Sequence, residues 1–151
     1  MRFVRKRLNR KDVIKVREAS ARGGWKIPLL YFPSFEETGL VKHCFTTREG
    51  GVSQGIYQSL NLSFTRGDKE EDVRENYKIL AQALDVDLDK FVFTDQTHTT
   101  NIRVVTEEDA GKGLTRPLDY QDVDGLITNV PGLVLSTFFA DCTPLYFLDP
   151  V

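Results

Sequence analysis

Three stretches of this chain combine residue types that can do chemistry. Asp141-Cys142-Thr143-Pro144 interrupts an apolar run between Gly132 and Pro150, which reads as two buried strands rich in Val, Phe, Tyr and Leu. A carboxylate and a thiol at such a corner, held by a proline that cannot extend a ladder, could serve as metal ligand, nucleophile or proton carrier. Taken alone, Cys142 reads first as a small buried hydrophobe, and Asp141 as a turn residue. Gln96-Thr97-His98 places one of the two histidines among polar neighbours. His43, flanked by Val41 and Phe45, looks more like a satisfied core imidazole. Arg48-Glu49-Gly50-Gly51-Val52-Ser53-Gln54-Gly55 is the most glycine-rich loop. Its amides and the Arg48 fork could hold an anion, although the spacing is neither Walker nor Rossmann and a plain turn remains open.

The elements that must position these groups alternate strands with one clear helix. Val13–Arg17 alternates like an exposed edge strand, and Lys26–Phe32 reads as a strand broken by Pro28 and stopped by Pro33. Val41–Thr47, Lys90–Thr94, Ile102–Thr106 and Asp124–Thr128 are further strand candidates. The segment from 107 to 122 is polar and glycine-containing, a long loop of the kind usually kept for function. Val73, Asn76, Tyr77, Leu80, Ala81 and Leu84 fall at helical spacing behind Asp68, which fits an N-cap. The acids that follow complement the helix dipole and read as capping, not as a metal site.

Composition narrows the classes. The chain has 151 residues, 20 Lys and Arg against 22 Asp and Glu, and a net charge of -2, which gives the whole molecule no commitment to nucleic acid or to a membrane surface. Nine basic residues nevertheless crowd into the first 22 positions, so residues 1–24 read as a basic N-terminal arm or an edge strand, with a targeting or nucleic-acid role as the alternative. No apolar run approaches the ~20 residues needed to span a bilayer. The start has no apolar core of a secretory signal, and the distant Cys44 and Cys142 form no CxxC pair, which suits two free thiols in the cytoplasm.

In order, Phe45-Thr46-Thr47-Arg48-Glu49-Gly50-Gly51-Val52-Ser53, Ser59-Leu60-Asn61-Leu62, Gly67-Asp68 with Val73 and Asn76, Gln96-Thr97-His98, Asp124-Gly125-Leu126-Ile127-Thr128 and Ala140-Asp141-Cys142-Thr143-Pro144 resemble the YfiH/YlmD family. This family is often labelled a laccase-like polyphenol oxidase and is related to the vertebrate protein FAMIN. The resemblance covers roughly residues 29 to 149. It implies an α+β fold, a mixed β-sheet sandwich flanked by helices, with 25–151 forming the N-terminal portion of one incomplete domain. It also implies a cytoplasmic zinc enzyme that phosphorolyses purine nucleosides, with adenosine deaminase and methylthioadenosine phosphorylase activities in the same pocket. Carried over, the metal ligands are His98 and Cys142. The family's third ligand, in a later His-Ala-Gly-Trp segment, has no counterpart before Val151, so the 151 residues alone are expected to be inactive. Two smaller departures are Thr99 after the histidine and Phe64 after Ser-Leu-Asn-Leu, where glycine is common.

On that reading the substrates are a purine nucleoside and phosphate. Arg48 with Gly50 and Gly51 would hold phosphate, Asp141 would shuttle a proton or orient the thiolate, and Asn61 and Gln96 would contact base or ribose. Zinc suits an imidazole and a thiolate; copper is the alternative metal, although a multicopper centre asks for many histidines and the chain has two. Two other classes stay open: a metal-independent cysteine hydrolase pairing Cys142 with His98, and a nucleic-acid-binding module that uses the basic arm.

Overall fold

The computed structural model describes residues 7–8 and 11–151; Arg2, Arg5, Lys6 and Arg10 of the basic N-terminal arm therefore lie outside the described residues. The chain divides into two compact units, Met1–Ala83 with Leu145–Val151 and, between them, Leu84–Pro144. The elements have the mixed-sheet, few-helix character of an α+β fold, with antiparallel pairing in the first unit and parallel pairing in the second.

In the first unit, β1 (Arg7–Leu8) pairs with β2 (Lys11–Asp12). A three-stranded antiparallel sheet follows, ordered β3 (Lys15–Ser20), β4 (Lys26–Tyr31), β5 (Phe45–Thr46). β3 lies at an edge, as its alternation and its lysine suggest. Pro28 does not break β4, because β5 reaches only Leu29 and Leu30 and asks nothing of the proline on that side. α1 (Pro33–Glu36) opens with the proline that ends the strand, and the Arg17 side chain from β3 pairs with Glu36. His43 lies in an aromatic cluster with Tyr31, Phe32, Phe35 and Tyr146, and its Nε2 accepts the Phe32 N–H at 2.8 Å.

The helix read from the periodicity is α2 (Glu70–Leu84), burying Val73, Asn76, Tyr77, Ile79, Leu80 and Ala81. Asp68 lies just outside its first turn, taking the Lys69 N–H and the Asn61 amide. Phe64 packs flat on Tyr77, so this bulky residue braces the helix. The fully buried Asn76 ties α2 to the loops. Its Oδ1 accepts the Val52 N–H at 2.8 Å, and its Nδ2 donates to Ser53 Oγ, to the Ser59 carbonyl and to the Asn61 carbonyl. Gly51 passes so close that an added Cβ would stand 2.4 Å from Asn76 Oδ1, which is why no larger residue fits there.

In the second unit β6 (Phe91–Phe93) pairs in parallel with β9 (Val134–Ser136), and β7 (Ile102–Val104) with β8 (Gly125–Ile127). The long loop between β7 and β8 is folded around Asp109, whose carboxylate accepts from Arg103, Lys112 and the Thr106 N–H. Arg103 also lies over the Tyr120 ring. Gly113 lets this knot rest on Phe93, 2.5 Å from where its Cβ would stand.

The apolar run read as two strands yields only one. Leu145–Leu148 forms no strand: among the described residues no strand offers it a ladder, so Leu145 and Phe147 face solvent while Tyr146 turns back onto Phe32 and donates to the Cys44 carbonyl. Among the described residues, no helix is long and apolar enough to cross a membrane.

Replacing Asn76 with Ala removes the partner of four groups in the buried loops. It should cost about 3 kcal/mol or more in urea unfolding; a loss within 0.5 kcal/mol, roughly that of an ordinary surface change, would show that these bonds are replaced by water. A pH effect is expected at His43. Burial holds its imidazole below the ordinary 6.5, so it stays neutral at a pH where the unfolded chain takes up a proton. Stability present above pH ~6.5 is therefore lost as pH falls towards the folded value. His43→Gln, which keeps an acceptor but cannot titrate, should flatten the fall in melting temperature between pH 7 and 5.

Candidate functional site

His98 and Cys142 are far apart in sequence, and the parallel pairing in the second unit brings their segments to one end. Phe93 stands opposite Ser136 in the β6–β9 register, and both strands run the same way. His98 follows the end of β6 and Cys142 follows the end of β9, so both loops leave from the carboxyl ends of neighbouring strands, where open α/β sheets place their ligands. Gln96 fastens the two loops. Its Oε1 accepts the Phe138 N–H at 2.7 Å and the Thr94 hydroxyl at 2.9 Å, so the carbonyl end of the side chain is already spent. Phe138 then seats its ring edge-on against Phe93. His98, Asp141 and Cys142 are all exposed.

The His98 segment is held by a carboxylate that the sequence reading passed over. Asp124 accepts the backbone N–H groups of Thr97 at 3.1 Å, His98 at 2.9 Å and Thr99 at 2.9 Å, and the Thr99 hydroxyl at 2.9 Å. These bonds, the Thr99 N–H first, pull the carboxyl down to about 2. His98 itself sits in the left-handed region with φ of 64°. Asp122 supports the turn: its carboxylate takes the Thr97 hydroxyl, and its carbonyl takes the Asn101 amide and the Thr99 hydroxyl. Thr99, one of the two departures from glycine, thus adds a donor to this knot. The available signal was Asp124 itself, an acid that opens β8 and has no capping role.

The glycine-rich loop belongs to the first unit. Gly50 and Gly51 both turn their N–H groups onto the Ser59 hydroxyl, at 3.0 and 3.2 Å, so that oxygen stands where the sequence reading had placed a bound anion. Arg48 Nε donates to the Gln58 carbonyl at 2.8 Å and Nη2 to the Ile56 carbonyl at 3.3 Å, which leaves its remaining guanidinium hydrogens to solvent. Arg48, Glu49, Gly55, Ile56, Gln58 and Ser59 line an open depression of about 580 Å³. Asn61 is occupied in the chain, donating to Asp68 and accepting the Ser63 N–H.

His98 and Cys142 have the donor chemistry of a zinc site, but a catalytic zinc takes three protein ligands. Among the described residues, no three His, Cys, Asp or Glu side chains stand together to hold a metal ion. The group therefore does not fit these residues alone.

The two thiols are free and differ sharply. Cys142 is exposed, whereas burial pushes Cys44 up to about 11. At pH 8 a thiol reagent should label one cysteine quickly and the other only on unfolding, with Cys142→Ser abolishing the fast phase. A fast phase that survives that substitution would refute the assignment.

Comparison with known proteins places this geometry in a family. The family model described as "Multi-copper polyphenol oxidoreductase laccase" matches residues 42–151, a span that contains Arg48, His98 and Cys142. The chain is 43% identical over 108 residues to the Bacillus subtilis protein named purine nucleoside phosphorylase YlmD, a match covering 71% of this chain and 39% of that protein. It is 39% identical over 124 residues to a Deinococcus radiodurans purine nucleoside phosphorylase, covering 82% and 43%. Among solved structures, Bacillus licheniformis YfiH superposes with a TM-score of 0.69 at 37% identity, over 76% of this chain and 42% of that one. YlmD from Geobacillus stearothermophilus gives 0.59 at 32%, over 80% and 39%. The chain spans about two fifths of the length of these relatives. With its motifs in register and its strands superposing on solved members, it belongs to the laccase-like YfiH/YlmD family.

Proposed function

We propose that this chain supplies nucleoside- and phosphate-handling residues of a cytoplasmic purine nucleoside phosphorylase. The observation that carries the reading is the parallel β6–β9 pair, with Gln96 bonded to Phe138, which sends the His98 and Cys142 loops out at the same strand ends. The purine nucleoside phosphorylases among the relatives supply the reaction class.

In phosphorolysis a phosphate oxygen forms a bond to C1′ as the glycosidic C–N bond breaks, and the base leaves with the electron pair and takes up a proton. The need is for positive charge on the phosphate and a proton source near the base. Arg48 answers the first need: two of its N–H groups pin the Ile56–Gln58 turn, and the remaining edge can grip a phosphate from the depression it lines. Asp141 beside Cys142 answers the second as a proton carrier, and Gln96 positions the two loops. A bound zinc would supply Lewis acidity, and His98 with Cys142 are its proposed donors, but the third donor is not among the described residues, so no step is routed through the metal. Adenosine deamination and methylthioadenosine phosphorolysis, which the family resemblance implies, would use the same nucleoside-handling residues.

The test is phosphate-dependent release of hypoxanthine from inosine by the full-length protein. Arg48→Ala should raise KM for phosphate roughly tenfold or more, the worth of a hydrogen bond to a charged group, with Arg48→Lys between the two. Base release independent of phosphate would replace the phosphorylase reading with a hydrolase. An unchanged phosphate KM would remove Arg48 from the site.

A further inference from the structure

We propose that Asp124 is the positioning residue for His98, the group that fixes how this imidazole is presented at the strand ends. The inference rests on the reading above, in which His98 belongs to the working site. Three consecutive amides, from Thr97, His98 and Thr99, converge on the one carboxylate, and the Thr99 hydroxyl completes the set. Successive amides pointing the same way form a nest for an anion, and here the anion is built into the chain. His98 stands at the centre of that nest in a backbone conformation that residues with a Cβ avoid. Histidine enters that region more readily than most residues with a Cβ, and here the bonds to Asp124 hold it there.

Asp124 is itself held from two directions. It opens onto β8, with its own N–H on the Asn101 carbonyl. The preceding Asp122 and Val123 donate their N–H groups to the carboxylate and carbonyl of Asp95, which directly follows Thr94 beyond β6. The carboxylate is therefore set relative to both parallel pairs, and the orientation it imposes on His98 is inherited from the sheets. An asparagine at this position has the same shape but only one acceptor oxygen, and its NH2 group would face N–H donors. The His98 backbone would then relax to negative φ and swing its ring away, with the fold otherwise intact.

The decisive experiment is a double-mutant cycle on inosine phosphorolysis by the full-length protein, combining Asp124→Asn with His98→Ala. In the parent background Asp124→Asn should lower kcat/KM roughly ten- to hundredfold, the usual cost of losing an orienting partner. In the His98→Ala background it should lower it no further, because residues that act as one unit are not additive. Amide hydrogen exchange supplies a readout apart from activity: protection should fall at Thr97, His98 and Thr99 and persist in β6–β9. Equal losses in both backgrounds would overturn the proposal, as would amides that stay protected in Asp124→Asn. A His98→Ala protein with undiminished kcat/KM would instead sink the underlying reading of His98, and that single variant tells the two failures apart. If Asp124→Asn does not fold, Thr99→Val, which deletes one donor, takes its place in the same cycle with a smaller expected loss.

Discussion

One primary amide, buried where water cannot reach it, sets the shape of the first unit. Asn76 sits on the inner face of α2, and its hydrogen bonds all go to other parts of the chain: the glycine-rich loop at Val52 and Ser53, and the carbonyls of Ser59 and Asn61. Leaving any of them unmade would strand a polar group in a dry interior, so the helix and both loops must settle together. The same constraint explains Gly51, which lets the backbone come within reach of the amide, and Ser59, whose hydroxyl collects the next two N–H groups. The Arg48 side chain is then clamped over its turn with only part of its fork free, which orients it at little cost in side-chain entropy.

The second unit solves a similar problem with a charge. The Asp109 carboxylate anchors the long loop, and the Asp124 carboxylate anchors the segment carrying His98. Both anions are matched by several donors, so each tolerates partial removal from water. In neither unit does the candidate chemistry rest on a helix. It rides on loops whose backbone groups are accounted for by short polar side chains from neighbouring elements.

How much of this was legible in the sequence follows from the range of each interaction. The helix was readable because Val73, Tyr77 and Leu80 repeat at a local period, and its boundary shifted only at Asp68. The strand positions were readable as apolar runs, but most lengths were overdrawn and β3 runs further, to Ser20, since a run states what wants burial and not which neighbour offers a ladder. Leu145–Leu148 shows that difference, and so does β5, which keeps only Phe45 and Thr46 of a longer candidate. Pro28 misled for the converse reason: whether a proline breaks a strand depends on who pairs with it. The candidate residues Arg48, His98 and Cys142 stood out by residue type but could be joined in one reading only through six motifs in register, because each alone has an ordinary explanation. Asp124 was read only as the start of a strand motif, with no role of its own, because its importance lies in amides more than twenty residues away, and amides carry no sequence signal.

The parallel pairing of β6 with β9 also has a bearing on how the protein is made. Phe91–Phe93 leaves the ribosome roughly forty residues before Val134–Ser136, and a parallel ladder has no hairpin to bring its halves together early. The loop that bears the histidine must therefore wait, exposed and unbraced, through the synthesis of everything that will later hold it. During that interval the apolar edge of β6 is open to any passing strand. In the nascent chain the segment carrying His98 therefore stays open until Asp124 and β9 have been made, so chaperone capture and early misassembly should concentrate there.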